Sequence, residues 1–234
     1  MSDLSDRIAC TQDQIFAAAS RAGRDPSSVT LVAVTKRVDR EIILEAYRAG
    51  LRDFGESYLQ EALPKIDQPP LHELQDIQWH FIGHLQTNKI RDVEPRFMLI
   101  HSVDSFKAAA EISRRATDAG RLARILLEVK LDATDTKFGI EPERVLEEAL
   151  GISELTGIRL EGLMGIAPYA AAADAGAGAE TSRLAFRRLA GLFCRLPETC
   201  RQTLSMGMTG DFEIAIEEGS TMVRIGTGLF GNRT

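Results

Sequence analysis

In the stretch Leu31-Val-Ala-Val-Thr-Lys36, apolar and β-branched residues follow one another with almost no polar interruption. Such a run predicts a strand that is buried on both faces of a parallel sheet. The run ends on Lys36, and a helical pattern begins at Asp39, its predicted N-cap. A lysine at this place is either a surface residue or a functional amine, because the carboxyl ends of the strands carry the chemistry in a parallel barrel.

The same strand-then-helix pattern repeats along the chain. Strand candidates centre near residues 31, 53, 79, 99, 127, 162, 204 and 224. Regular alternation implies parallel strands with right-handed crossovers. Eight units therefore predict an α/β fold, a (β/α)8 TIM barrel, as a single domain over 1–234. The alternative is an open doubly wound sheet, but no Gly-x-Gly-x-x-Gly follows the first strand, which counts against a dinucleotide-binding version.

Two further segments carry specific expectations. Residues 3–23 place apolar side chains at helical spacing and predict an extra N-terminal helix before the barrel. The small-residue tract 170–179 predicts a surface loop, followed by a helix over about 180–196.

Composition excludes several classes of function. The net charge of −6 and the pI of about 5.4 argue against non-specific nucleic-acid binding, which needs a dense basic face. No run of about 18 apolar residues is present to span a membrane, and the N-terminus lacks the apolar core of a signal peptide. Three sparse cysteines argue against a disulfide framework. We therefore expect a cytoplasmic protein without metal, since His80 and His84 fall in or beside a strand.

The predicted strand ends form a polar, glycine-rich rim. The loops after the last two strands combine the hydroxyls of Ser205 and Thr227 with glycines such as Gly226, where the backbone can approach a ligand closely. Such loops often bind phosphate through backbone N–H groups in barrels. The alternative is that the glycines serve only tight turns. Two such loops on adjacent strands favour a phosphate site.

A phosphate site opposite a strand-end lysine suggests a particular ligand. Lysine forms a Schiff base with an aldehyde, and pyridoxal 5′-phosphate carries an aldehyde and a phosphate on one ring. Lys36 on the first strand would lie beside the eighth strand of a closed barrel, with Arg224 near the pyridine nitrogen. The alternative use of these residues is an aldol-type or sugar-phosphate barrel, in which Lys36 binds the substrate carbonyl directly.

The sequence resembles the pyridoxal-phosphate homeostasis proteins, single-domain relatives of the alanine racemase barrel of fold type III. The motifs that carry the resemblance run nearly end to end: Leu31–Lys36, Phe54–Glu56, Gln78–Gly83, Leu85–Lys89, Lys137–Gly139, Gly162–Met164, Ser205–Met208, Glu213, Ala215–Ile216, Gly219–Thr227 and Phe230–Gly231. Several of these motifs are long, ordered and correctly spaced, so the resemblance is specific.

The resemblance implies a role for each candidate site residue. Lys36 would form the internal aldimine, Ser205, Gly226 and Thr227 would hold the phosphate, and Arg224 would face the pyridine ring. Met164 and Asn88 would line the pocket. The resemblance implies that the protein binds and buffers the cofactor and delivers it to pyridoxal-phosphate-dependent apo-enzymes, its partners. It also implies that the protein lacks robust enzymatic activity. The alternative is an amino-acid racemase-like enzyme.

Four positions mark departures or open roles. Ser57 stands where the family commonly has Asn, which removes an amide donor, and His84 stands where Pro is frequent. Lys137 is either a solvated loop residue or a second amine near the cofactor. The related racemases take a second base from a tyrosine of the partner subunit's second domain. Tyr169 is the one weak candidate for that role here.

Overall fold

The computed structural model describes residues 3–132, 138–168 and 175–231. Within these residues, eight parallel strands close into a barrel in chain order. The strands are β1 (Thr30–Val34), β2 (Asp53–Glu56), β3 (Gln78–Phe81), β4 (Leu99–Val103), β5 (Ala123–Val129), β6 (Ile158–Gly165), β7 (Thr203–Ser205) and β8 (Met222–Ile225). This confirms the predicted α/β barrel and rules out the open sheet, because β8 pairs with β1.

A helix follows each strand, and one helix precedes the barrel. The helices are α1 (Asp3–Arg21), α2 (Arg40–Arg48), α3 (Leu59–Ile66), α4 (Ile90–Val93), α5 (Phe106–Asp118), α6 (Val145–Ser153), α7 (Ala175–Phe193), α8 (Phe212–Glu217) and α9 (Thr227–Phe230). The extra N-terminal helix is therefore confirmed. No helix among the described residues is long and apolar enough to cross a membrane.

One helix boundary and one capping contact differ in detail from the expectations. Helix α7 begins at Ala175, inside the tract predicted as a loop, because alanine has the highest helix propensity and needs no partner to favour a helix. Asp39 does occupy the N-cap position of α2 with an extended backbone, but its side chain makes no capping hydrogen bond.

The barrel has two apolar regions. Between the strands and the surrounding helices lies the main core, which includes the fully buried side chains of Phe54, Ile112 and Phe186. Inside the barrel, a smaller cluster joins five of the strands; its buried members are Val32, Leu99, Leu126, Met164 and Met222. Because side chains alternate along a strand, residues two positions beyond these members also point inward. These positions include His101, Glu128 and Arg224.

Helix α1 packs on the outside of the barrel against α8 and α9. The Arg7 guanidinium donates to the carbonyl of Leu229 at 2.6 Å. Beyond the end of α1, Arg24 donates to the carbonyls of Ile216 and Ser220, each at 2.8 Å. These long-range contacts fasten the start of the chain to its last βα unit.

Candidate functional site

The candidate site lies at the rim formed by the carboxyl ends of the strands. Lys36 is exposed in the turn directly after β1. Strand β1 pairs in parallel with β8, with Ala33 opposite Ile225. The turn that carries Lys36 and the segment that begins at Thr227 therefore leave the barrel at the same rim, on neighbouring strands.

Buried charged side chains anchor the turn that carries Lys36. The ammonium of Lys65 on α3 donates to the carbonyl oxygen of Thr35 at 2.8 Å, to Glu56 Oε1 at 2.8 Å and to Glu61 Oε1 at 2.9 Å. The Thr35 hydroxyl donates to Glu56 Oε1 at 2.7 Å. The residue before the candidate lysine is thus anchored to β2 and α3.

The residue after Lys36 is anchored by the same network. The backbone N–H of Arg37 donates to Glu61 Oε1, and Arg37 adopts a left-handed φ of 55°, which is uncommon for a residue other than glycine. Burial raises the pKa of the fully buried Glu56, while the Lys65 ammonium opposes this shift. Lys65 and Glu56 were not among the candidate residues, because their contacts depend on the docking of α3.

Arg224 is a buried cation below the rim. Its Nη1 donates to Ser205 Oγ at 2.6 Å and its Nη2 donates to the carbonyl of Gly165 at 3.1 Å. Burial lowers the pKa of Arg224 to about 10, and the carboxylates of Asp211 and Glu128 oppose this shift. The guanidinium therefore remains charged at neutral pH and has further N–H groups to offer a ligand.

Ser205 belongs to a hydrogen-bonded chain that crosses the barrel interior. Ser205 Oγ lies 3.0 Å from His101 Nδ1, His101 Nε2 lies 3.0 Å from His80 Nδ1, and His80 Nε2 lies 3.0 Å from Asp53 Oδ1. Ser205, His80 and His101 are completely buried. Burial lowers the pKa of His101 well below its usual value, and His80 and Arg224 add to the effect.

The predicted phosphate residues fall into two groups. Thr227 Oγ1 donates to Thr209 Oγ1 at 3.3 Å, and the backbone N–H of Gly228 donates to the same oxygen at 3.3 Å. Gly226, which precedes Thr227, joins β8 to α9. Ser205 lies deeper, with Arg224. Gly226, Thr227 and Gly228 form the group at the rim, and Thr209 belongs to it as well. The sequence analysis missed Thr209, although it stands in the glycine-rich segment after β7.

The two predicted pocket-lining residues occupy different environments. Met164 is buried in the interior cluster on β6, directly before the Gly165 carbonyl that accepts from Arg224. Asn88 is exposed in a short 3₁₀ turn, Thr87–Lys89, beyond β3. Met164 is thus close to the Arg224 pair, whereas the described hydrogen bonds do not connect Asn88 to it.

A cavity of about 270 Å³ opens at the ends of β3, β5 and β6. Its lining includes Glu128 and the stacked rings of His84 and Phe138, whose centroids lie 3.5 Å apart. Burial and the nearby Asp104 together raise the pKa of Glu128 to about 7, and the Arg224 cation opposes this shift. The sequence analysis missed Glu128, because only barrel closure turns it toward Arg224.

Some candidate residues lie elsewhere. Ser57 is half-buried after β2, with its carbonyl oxygen packed against Gly83. Lys137 and Tyr169 lie outside the described residues. Within the described ranges, no group of His, Cys, Asp or Glu side chains could hold a metal ion.

Comparison with known proteins defines the class first. The family described as alanine racemase, N-terminal domain, matches residues 15–234. Among solved structures, an alanine racemase from Clostridium difficile 630 has a TM-score of 0.68 and 15% identity; the match covers 97% of this chain and 57% of that chain. At this identity the likeness shows the fold alone.

More similar relatives narrow the class. Pyridoxal phosphate homeostasis proteins from Pseudomonas aeruginosa and Escherichia coli K12 are 43% and 39% identical to this chain, covering 100% of it and 97% and 98% of their own lengths. The structure of PipY from Synechococcus elongatus with pyridoxal phosphate bound has a TM-score of 0.80 and 36% identity, covering 98% of this chain and 100% of PipY. The chain belongs to the pyridoxal phosphate homeostasis protein family.

Proposed function

We propose that this chain is a single barrel domain over 1–234 that binds pyridoxal 5′-phosphate and is attached to it through the Lys36 amine. The observation that carries the proposal is the buried Arg224 cation at the same rim as the strand-end lysine. An exposed lysine alone would support no particular ligand.

The residues at the rim fit the chemical groups of this cofactor. When bound, pyridoxal phosphate supplies an aldehyde for a Schiff base and an electron-withdrawing ring. The hydroxyls of Thr209 and Thr227 and the N–H of Gly228 suit a phosphate. Arg224 suits the pyridine nitrogen as a hydrogen-bond donor, and its positive charge disfavours protonation of the ring.

The same cation limits the chemistry that the site supports. An unprotonated pyridine ring is a weaker electron sink, so Arg224 favours holding the cofactor over stabilising a carbanion. The names of the full-length relatives point the same way. The proposed role is therefore to bind, buffer and deliver the cofactor in the cytoplasm, without robust turnover.

Absorbance of the purified protein tests the attachment. Wild-type protein loaded with pyridoxal phosphate should be yellow, with the band of a lysine Schiff base, and borohydride should fix the cofactor on the Lys36 peptide. Lys36→Ala should lose both signals. Lys107→Ala removes an exposed lysine of α5 and should retain them. A wild type that stays colourless after loading would contradict the proposal.

Delivery and turnover need separate assays. Holo-protein mixed with a pyridoxal-phosphate-dependent apo-enzyme should restore its activity in proportion to the cofactor carried; failure to do so would contradict delivery but not binding. The racemase-like alternative predicts sustained solvent-deuterium exchange at the Cα of an amino acid that depends on Lys36. We expect none across a broad amino-acid panel.

A further inference from the structure

The chain of hydrogen bonds from Asp53 to Arg224 connects the two ends of the barrel. Asp53 begins β2 and its side chain is 25% exposed, whereas Ser205 ends β7 and Arg224 lies below the opposite rim. Asp53 also lines a surface cavity of about 420 Å³ beside α1. Buried side-chain networks of this length are uncommon, because each unsatisfied member is costly.

Counting donors determines the direction of every bond in this chain. A guanidinium can only donate and an ionised carboxylate can only accept. With both histidines neutral, Asp53 must accept from His80 Nε2–H, so that His80 Nδ1 accepts from His101. His101 Nδ1 then accepts from the Ser205 hydroxyl.

Ser205 Oγ, whose own hydrogen points to His101, accepts from Arg224 Nη1. No other arrangement with neutral histidines satisfies all four contacts. The carboxylate at one end of the barrel therefore decides which way the serine hydroxyl points at the other end.

The surroundings favour a neutral His101. Burial and the nearby Arg224 cation lower the pKa of His101. Near Asp53, the Arg124 guanidinium is paired with Glu161 at 2.6 Å. The charged groups around the two ends of the chain are Asp53, Arg124, Glu161, Arg159, Arg224, Glu128 and Asp211.

We propose that Asp53, His80 and His101 are positioning residues, and that their directed chain of hydrogen bonds holds the Arg224 guanidinium in its place beneath the rim. Any effect of this chain on cofactor affinity rests on the proposed function. The direction of the chain does not, because it follows from the protein's own donors and acceptors.

Asp53→Asn separates this proposal from a packing role. Asparagine is nearly the same shape, but its amide can either donate or accept. The reversed chain then becomes available, in which His101 Nδ1–H donates to Ser205 and the serine hydrogen loses its acceptor. Asp53→Glu keeps an acceptor-only group and should preserve the direction.

Nitrogen-15 spectra of the histidine rings measure the direction without any cofactor. In wild-type protein at pH 8, the rings of His80 and His101 should each carry hydrogen on Nε2 and none on Nδ1. The guanidinium N–H signals of Arg224 should be sharp and exchange slowly. Asp53→Asn should populate Nδ1–H forms and broaden the Arg224 signals, whereas Asp53→Glu should resemble wild type. A wild-type His101 that carries hydrogen on Nδ1 would overturn the proposal, and this result needs no variant.

Binding of pyridoxal phosphate supplies the second readout. A directed hydrogen bond to a charged group contributes enough that its loss should weaken affinity by roughly fivefold or more. Asp13→Asn is the matched control, since it removes one negative charge from an exposed position on α1. Equal affinities for Asp53→Asn and Asp13→Asn would overturn the link to the site. A wild type that binds no pyridoxal phosphate would reject the proposed function, while the histidine and arginine signals would still decide whether the chain holds Arg224.

Discussion

At the scale of single residues, burial sets the charge of the groups around the rim. Arg224 stays cationic although it is buried, whereas Glu128, on the wall of the adjoining cavity, has a pKa raised to about 7. An acid with that pKa is about half ionised at neutral pH. Arg224 therefore supplies a fixed positive charge next to the rim, and Glu128 supplies a negative charge that depends on pH.

Glu128 should make ligand affinity depend on pH. As pH rises through about 7, Glu128 ionises and its negative charge opposes an incoming phosphate. We expect the affinity for pyridoxine 5′-phosphate, which has no aldehyde, to fall by about three- to tenfold between pH 6.5 and 8. Glu128→Gln should abolish this loss, as calorimetric titration would show. The exposed Glu147→Gln should retain it, and an unchanged pH profile in Glu128→Gln would contradict the assignment.

At the scale of elements, the turn after β1 depends on helix α3. Lys65 reaches from α3 to the Thr35 carbonyl and to Glu56 on β2. The Lys65–Glu56 pair is almost fully buried, with side-chain exposures of 8% and 0%. Removing one member of such a pair leaves the other charge in an apolar environment.

Lys65→Met should therefore destabilise the protein by about 3–5 kcal/mol, because Glu56 loses its cation. Urea denaturation monitored by circular dichroism measures this loss. The double variant Glu56→Gln/Lys65→Met should recover at least half of it, since no unpaired charge remains. Lys107→Met, on an exposed face, should change stability by no more than about 0.5 kcal/mol. A double variant as unstable as the single one would argue against an electrostatic origin.

The segments after β2 and β3 approach each other closely at Gly83. A Cβ atom at Gly83 would overlap the carbonyl oxygen of Ser57, whereas a Cβ at Gly191, inside α7, would meet nothing within 4 Å. We expect Gly83→Ala to lower the free energy of unfolding by about 1–3 kcal/mol. Gly191→Ala should raise it by about 0.5–1 kcal/mol through helix propensity. Thermal unfolding of both variants tests this contrast. Equal changes in stability would contradict the close approach of the Ser57 carbonyl to Gly83.

At the scale of the whole molecule, the buried His101 should make the fold sensitive to acid. The pKa of His101 in the folded state lies well below the value of about 6.5 that it takes in the unfolded chain. As pH falls below about 6.5, the unfolded chain binds a proton that the folded protein does not, so stability decreases. The limiting slope is about 1.4 kcal/mol per pH unit.

Urea midpoints between pH 5 and 8 measure this slope. His101→Gln should flatten it, whatever its stability at pH 8, because the titrating group is gone. His72→Gln, at an exposed position, should leave the slope unchanged. If His101→Gln showed the same slope as the wild type, the acid sensitivity would belong to other groups.

Much of the architecture was predictable from local pattern. The apolar run that ends in Lys36 and its seven successors specified the strands, because they alternate regularly with helical patterns even where a strand is as short as Thr203–Ser205. Alternation of strands and helices implied that all strand ends share one rim. The start of α7 was misplaced, since small residues fit a loop or a helix equally well by hydrophobicity.

The sequence by itself determined the barrel, the rim and the family, because these depend on periodicity and on ordered motifs. Only the tertiary structure decided that Ser205 contacts Arg224 and His101 while Thr227 contacts Thr209. These partners are separated by up to 104 positions in the chain. Ser205, Arg224 and His101 meet because barrel closure turns alternate side chains of different strands into one interior. The same closure removes water from that interior, and the loss of water sets the charges that a linear sequence cannot show.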